Sequence, residues 1–359
     1  MRIRIVKYLT ILSVLLSFAG CMDDDVLPTS PVDLFGSRGV FIVNEGNYLY
    51  GNASLSYYDI DTREVINDIY AKANGVPPGD VAYTMQIHSG KGYLVVNNSG
   101  CIHVVDANSM LHLGTIEGLP SPRHMLFLDN NRALVSDLYA RGISIINTAT
   151  LKVIGKIPTG SSALPFYQHS TENMICIGDK IFVNCWSFDN KVLVISTESL
   201  TVTDSIEVGI QPMAMVKDRN NNIWVVNDGG YQGNPFGWEN PSLVLINSTT
   251  LQVKRRFVFP HLNDLAGPIA TNPAGDSLYF VQAHIYKMSI DDTALPESYF
   301  VSGMGKNFRG MATDPLTGEL YVSDAIDFMS EGRVYRYSPN GAPVDSFEVG
   351  IIPGSFCFN

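Results

Sequence analysis

The amino-acid sequence predicts an all-β protein, a seven-bladed β-propeller closed by pairing the C-terminal strand into the first blade. Three observations predict it. A marker strand recurs as Phe41–Asn44, Leu94–Asn97, Leu134–Ser136, Ile181–Asn184, Trp224–Asn227, Tyr279–Gln282 and Tyr321–Ser323, at a mean spacing of about 46 residues, the period of propeller blades. Most markers follow an apolar strand such as Met125–Asp129, Met213–Asp218 or Met311–Asp314, but none precedes Phe41. The chain instead ends on a strand of that missing type, Ser355–Asn359, so a ring that borrows its last strand for its first blade explains both ends.

Each unit reads as strand A, a short turn, strand B, a loop, strand C, a short turn and strand D. Strand C appears as Leu55–Asp59, Ile102–Asp106, Ile143–Asn147, Val192–Ser196, Leu243–Asn247, Ile285–Ser289 and Val334–Ser338. A polar residue ends each copy, and a turn cluster such as Thr148–Thr150 follows, as expected of antiparallel strands. No stretch after residue 30 carries sustained helical periodicity.

In an antiparallel meander the A–B and C–D turns share one end of the blade, and the B–C and D–A connections share the other. The first set is short, as in Ser89–Gly92, Asn130–Arg132 and Asp61–Glu64. The second set holds the insertions Glu45–Ala53, Ala71–Ala82, Asp137–Gly142, Pro158–Glu172, Asp228–Ser242, Ser302–Phe308 and Asp324–Arg333. One face is therefore plain and the other elaborated, and loops on a rigid scaffold are where binding concentrates.

The elaborated loops are rich in aromatic, guanidinium and amide side chains, which suit a broad, partly apolar ligand rimmed by hydrogen-bonding groups. The candidate ligand-binding residues are Tyr48, Tyr139, Arg141, Gln168, His169, Trp186, Phe188, Tyr231, Trp238 and Arg309. Acidic residues Glu45, Asp137, Asp228 and Asp324 follow strand B at equivalent positions. They admit two readings: a rim that gathers a cation or acts as a general base, or caps for the turns that begin there.

Catalytic signals are weak. The seven histidines show no HExxH or paired metal spacing, and no GxSxG elbow is present. Neither an enzyme, nor a resident cofactor, nor a metal site is expected. The net charge of −11 with no basic stripe argues against nucleic acid as partner. Apolar residues make up 45% of the 359-residue chain, enough for a large core. Cys101, Cys176, Cys185 and Cys357 read as small core residues in separate units, with one disulfide between neighbouring blades left open.

Residues 1–20 read as a signal peptide, with basic Arg2, Arg4 and Lys7 before the apolar Tyr8–Ala19, a core too short for a permanent membrane span. The run Ser17-Phe18-Ala19-Gly20-Cys21 resembles a bacterial lipoprotein cleavage box, which implies lipidation at Cys21. Met22-Asp23-Asp24-Asp25 resembles the export signal that sends Bacteroides-type lipoproteins to the outer face of the outer membrane. Residues 21–36 are then lipidated cysteine and tether, and residues 37–359 the propeller.

The stretches VNEGNYLYGNASLSYYD (Val43–Asp59), QHSTENM (Gln168–Met174), NCWSFDNKVLVIST (Asn184–Thr197) and VGIQP (Val208–Pro212) resemble the YncE-like, surface-layer-like seven-bladed propeller lipoproteins of Bacteroides. That resemblance implies a lipid-anchored protein on the extracellular face of the outer membrane. It further implies a protein that binds cobalamin (vitamin B12) as a transported ligand and hands it to a TonB-dependent outer-membrane transporter. Two other functions fit the same face: a surface binding protein for a glycan or another chelate, and a lactonase- or hydrolase-like metal-dependent propeller enzyme.

Overall fold

The computed structural model describes residues 29–160, 169–262 and 266–359. The expected cleavage site, Cys21 and its acidic cluster lie outside the described residues, as does Gln168. Among the described residues, twenty-seven strands, numbered in chain order, form seven antiparallel sheets. Blade 1 runs from β27 (Pro353–Phe358) through β1 (Gly39–Asn44) and β2 (Ser54–Asp59) to β3 (Val65–Ile66). The next three blades are β4 (Ala82–His88) to β7 (His112–Ile116), β8 (Pro122–Phe127) to β11 (Lys152–Pro158), and β12 (Thr171–Ile177) to β15 (Val202–Glu207). Blade 5 is β16 (Pro212–Lys217) to β19 (Val253–Val258), blade 6 is β20 (Ala266–Thr271) to β22 (His284–Ser289), and blade 7 is β23 (Phe308–Thr313) to β26 (Pro343–Ile351). The inner strands β27, β4, β8, β12, β16, β20 and β23 abut in that order around a central channel.

The core is divided into seven apolar clusters, one for each junction between neighbouring blades. Every inner strand contributes the same position to its cluster: Met85, Met125, Met174, Met215, Ile269, Met311 and Phe356. Five of the seven are methionine, whose flexible thioether fills the uneven gap between twisted sheets. Full burial of such a side chain stabilises by roughly 1.5–3 kcal/mol.

The polar residue that ends the marker strand also has a structural cause. Asn97 Nδ2 donates to the carbonyl of Pro122 at 3.0 Å, Asn184 Nδ2 to that of Pro212 at 2.5 Å, and Ser323 Oγ to that of Pro353 at 2.6 Å. Each acceptor opens the inner strand of the next blade, so a buried polar group is satisfied by tying two blades together.

Ring closure follows the expectation. β27 pairs with β1 from Val40↔Phe358 to Asn44↔Pro353. Tyr58 of blade 1 donates to Asp345 of blade 7 at 2.8 Å and stacks on Phe347 at 4.1 Å. Buried Arg336 bonds Tyr58 Oη at 2.5 Å and Glu319 at 2.6 Å, and Arg38 pairs with Asp314.

Three details depart from the sequence reading. A short helix, α1 (Ile69–Asn74), sits where only loop was expected, burying Ile69, Tyr70, Ala71 and Ala73 and ending at Gly75 with φ 77°. Six residues are too few for a 3.6-residue period to show. Blade 6 has three strands: beyond β22 the chain returns only through one bridge, Ile285↔Val301, so the long excursion there leaves from the plain end. Its sequence, Asp291-Asp292-Thr293-Ala294-Leu295-Pro296, lacks strand alternation, and proline cannot donate to a ladder. Finally, the segment before the ring is already docked at residue 30. Ser30 N donates to Lys72 O, Leu34 N donates to Asn108 O, and Leu34 is buried in the cluster between blades 1 and 2.

Candidate functional site

Every inner strand starts with an irregular register at the elaborated end. The ladder shifts between Ala82/Thr84, Pro122/Met125, Thr171/Met174, Pro212/Ala214, Ala266/Ile269 and Phe308/Met311, and β27 shifts against β1 at Val43/Asn44. Bulges re-aim side chains, and here each one falls just before the methionine position. The residues two before that position are Tyr83, Arg123, Glu172, Met213, Gly267, Arg309 and Gly354. They form a ring at the channel mouth, above a cavity of about 570 Å³ lined by all seven inner strands.

Blades 7, 1, 2, 3 and 4 fill their share of this ring with charge and aromatic groups. Arg309 Nε and Nη2 grip the Glu45 carboxylate at 2.8 and 3.0 Å. Arg123 Nε donates to Glu172 Oε1 at 2.8 Å, and its guanidinium lies 3.4 Å from the centre of the Tyr83 ring. Tyr83 Oη donates to Glu172 Oε2 at 3.4 Å, and His124 Nε2 stands 3.7 Å from the same oxygen. Blades 5 and 6 carry only Met213, Ala214, Gly267 and Pro268 there, so the ring is polar on one side and small and apolar on the other.

Burial sets the proton affinities. It pushes the Glu172 carboxyl up against the opposing pull of Arg123, and drives His124 down to about 3, helped by the Arg123 charge. Burial works against the charge of Arg123, yet Glu172, Tyr83 and Glu45 together outweigh it and the guanidinium is held more firmly than usual. Asp228 is raised by burial, opposed by hydrogen bonds from Gly230 and Trp186.

The acidic residues after strand B resolve in favour of structure. Asp137 Oδ1 accepts Tyr139 N and Ala140 N at 2.8 Å each, and its Oδ2 accepts Ser121 N at 2.9 Å. Asp324 Oδ1 accepts Asn307 N and Ile326 N at 2.9 Å each. Asp228 accepts Gly230 N at 2.8 Å and Trp186 Nε1 at 3.2 Å. All three cap the loops they begin, and Glu45 is committed to Arg309.

The nine candidate binding residues that the structure describes sit on the elaborated face in three settings. Tyr48, Tyr139, Arg141, Tyr231 and Trp238 are exposed, with Tyr48 at 65% and Trp238 at 38%. The loops beneath them are braced: Asn47 Nδ2 donates to Phe328 O at 2.7 Å, Leu49 N to Asp80 Oδ2 at 2.9 Å, and Asn234 Nδ2 to Gln211 Oε1 at 2.7 Å. Trp186 and Phe188 are half-buried, Trp186 lying 6.0 Å from the Arg123 guanidinium and joined to Asp228. His169 is tied to Asp189, and Arg309 belongs to the channel ring.

Glu172, Asp189 and the joint role of Tyr83, Arg123 and His124 escaped the sequence reading. The signal was available: registering the inner strands on their shared methionine puts Tyr83, Arg123, Glu172 and Arg309 at one height. The four described cysteines are unpaired, so the disulfide left open does not form among them. Cys101 and Cys185 are buried as expected and Cys357 partly so, whereas Cys176 is exposed; Cys176 and Cys185 share blade 4 instead of lying in separate units, because they fall on its paired strands β12 and β13 (Lys180–Cys185).

Residues 38–351 match the model of a domain of unknown function, DUF5074. The chain belongs to the DUF5074 family. No curated protein matches it. Among solved structures it is similar to a quinonprotein alcohol dehydrogenase-like protein from Bacteroides thetaiotaomicron, with TM-score 0.65, 18% identity, and coverage of 90% of this chain and 78% of that one. It is also similar to a functionally unknown protein from Desulfotomaculum acetoxidans, with TM-score 0.63, 14% identity, and coverage of 90% and 99%. At these identities the likeness concerns the propeller fold alone.

Proposed function

We propose that this member of the DUF5074 family is a non-enzymatic surface lipoprotein. In this reading it captures cobalamin on its elaborated face and passes it to a TonB-dependent outer-membrane transporter. The observation that supports binding on this face is the set of exposed aromatic side chains, Tyr48, Tyr139, Tyr231 and Trp238, carried on braced loops around the channel mouth. Such rings offer large contact area for little ordering cost, and rigid loops keep that cost down. Cobalamin is large, near neutral and fringed with amides, so the overall negative charge does not oppose it. The choice of cobalamin rests on the likeness of Val43–Asp59, Gln168–Met174 and Asn184–Thr197 to the cobalamin-binding lipoprotein BtuG.

Lipidation at Cys21 would place the ring near the membrane. The eight residue-to-residue steps from Cys21 to Thr29 span at most about 28 Å when fully extended, and beyond them the chain is already docked through Ser30 and Leu34. The test is titration with cyanocobalamin, followed by calorimetry and visible absorbance, with a glycan mixture and an unrelated metal chelate as parallel arms. Saturable one-to-one binding is expected for cyanocobalamin. An absence of binding at micromolar protein sinks the reading, and binding of another arm alone redirects it to that ligand.

A further inference from the structure

Beside the channel ring, blade 4 brings together three donor groups that the sequence keeps apart. His169 precedes β12, Cys185 ends β13 (Lys180–Cys185), and Asp189 lies in the loop that follows. Their ligand atoms all lie within 4.8 Å of one another. Among the described residues this is the one group of His, Cys, Asp and Glu side chains close enough to hold a metal ion. Cys185 is 0% and Asp189 2% exposed, while the His169 side chain keeps 21%, so the cluster opens to water on the imidazole side.

The group is also held in place. Asp189 Oδ2 accepts His169 N at 2.8 Å and faces His169 Nδ1 at 2.5 Å, and its Oδ1 accepts Asn190 N at 2.8 Å. The Asp189 carbonyl accepts Gln211 N at 2.8 Å from the start of the next blade. His169 itself and Phe188, which precedes Asp189, adopt left-handed φ values of 58° and 54°, a conformation that costs a side chain of this size about 1–2 kcal/mol.

We propose that His169, Cys185 and Asp189 form a binding site for one zinc-class divalent cation, with a fourth position open to water or an incoming ligand. One nitrogen, one sulfur and one oxygen donor make a borderline-soft set, and three protein ligands with an open place is the pattern of accessible zinc sites. Zinc bonds of about 2.0–2.3 Å place tetrahedral donors roughly 3.3–3.7 Å apart. The His169–Asp189 contact must therefore widen by about 1 Å, within reach of side-chain rotation. On binding, the cation displaces the Cys185 proton to solvent and forms the metal–thiolate bond. The His169 hydrogen bond to Asp189 gives way to coordination through Nδ1, with the ring proton on Nε2. Coordination requires the thiolate and releases its proton, so affinity rises with pH.

Cobalt(II) titration of the full chain tests this, because a thiolate ligand gives a near-ultraviolet charge-transfer band and tetrahedral geometry gives visible d–d bands. Both are expected to saturate at one equivalent and to be reversed by zinc. Cys185→Ser should abolish the charge-transfer band, His169→Ala should weaken binding by about tenfold or more, and Cys176→Ser, at the exposed thiol, should change neither. Zinc should also raise the melting temperature of the wild-type chain. Absence of the thiolate band in the wild-type protein, or its survival in Cys185→Ser, overturns the proposal. The measurement needs no cobalamin and is independent of the ligand assigned above.

Discussion

Replacing His124 by glutamine should remove a defined part of the acid sensitivity of this protein. An unfolded chain protonates the imidazole below 6.5, whereas in the channel wall burial and the Arg123 charge hold it down to about 3. Between those values the unfolded state binds the extra proton, so stability falls as pH falls. From pH 7 to pH 5 the loss is about 2 kcal/mol at most, reduced by the Glu172 oxygen 3.7 Å from Nε2, which would partner a charged ring. Glu172 itself acts in the opposite sense. Its carboxyl is raised by burial, so the folded state takes up that proton more readily and gains stability as pH falls through its folded value. Tyr83, Arg123 and Arg309 complete the surroundings and keep their charge states across this range. The assay is urea unfolding of wild type and His124→Gln at pH 7 and pH 5, compared as a difference of differences so that Glu172 and the other histidines cancel. An equal loss in both proteins would refute the assignment of a neutral, half-buried His124.

Three further outcomes follow. Deleting Ser355–Asn359 should open the ring, since it removes most of the pairing with β1 and leaves Tyr321 without its edge contacts to Phe356 and Phe358; a lower, broader thermal transition is expected, and an unchanged melt would show that the closure is dispensable. Arg123→Ala should cost about 3–5 kcal/mol by stranding the buried Glu172 charge, and adding Glu172→Gln should recover much of it, as measured by denaturant unfolding of both variants. Trp186→Ala and Trp238→Ala should each weaken ligand binding about tenfold or more with little change in melting temperature, Trp186 by disordering the channel rim and Trp238 by direct loss of contact; unchanged affinity in both would place the ligand elsewhere.

Much of this fold is legible in the sequence. The seven marker strands, the orphan strand at the C-terminus and the uneven loops are local patterns repeated along the chain, and repetition lifts a weak strand signal above noise. Those patterns determined the propeller, its mode of closure and the face that carries most of the long loops. Other features had no local signature. Helix α1 is shorter than two turns, and the missing fourth strand of blade 6 is a pairing that fails.

The site itself depended on the ring. Sequence reading reached the exposed aromatics, because an aromatic residue in a loop needs a reason wherever the loop lies. It could not tell turn-capping Asp137, Asp228 and Asp324 from a cation-binding rim, since both readings want a carboxylate after strand B. Nor could it join Arg123 to Glu172, Arg309 to Glu45, or His169 to Cys185 and Asp189. The ion pairs form only when sheets close into a circle and a bulge in each inner strand turns its side chain toward the axis, whereas the three donors of blade 4 meet through the pairing of β12 with β13. The order of the strands is written in local alternation, which a single chain displays directly. The donor cluster is decided by pairing within blade 4 and the charge network by distances across blades, and only the folded, closed ring sets those.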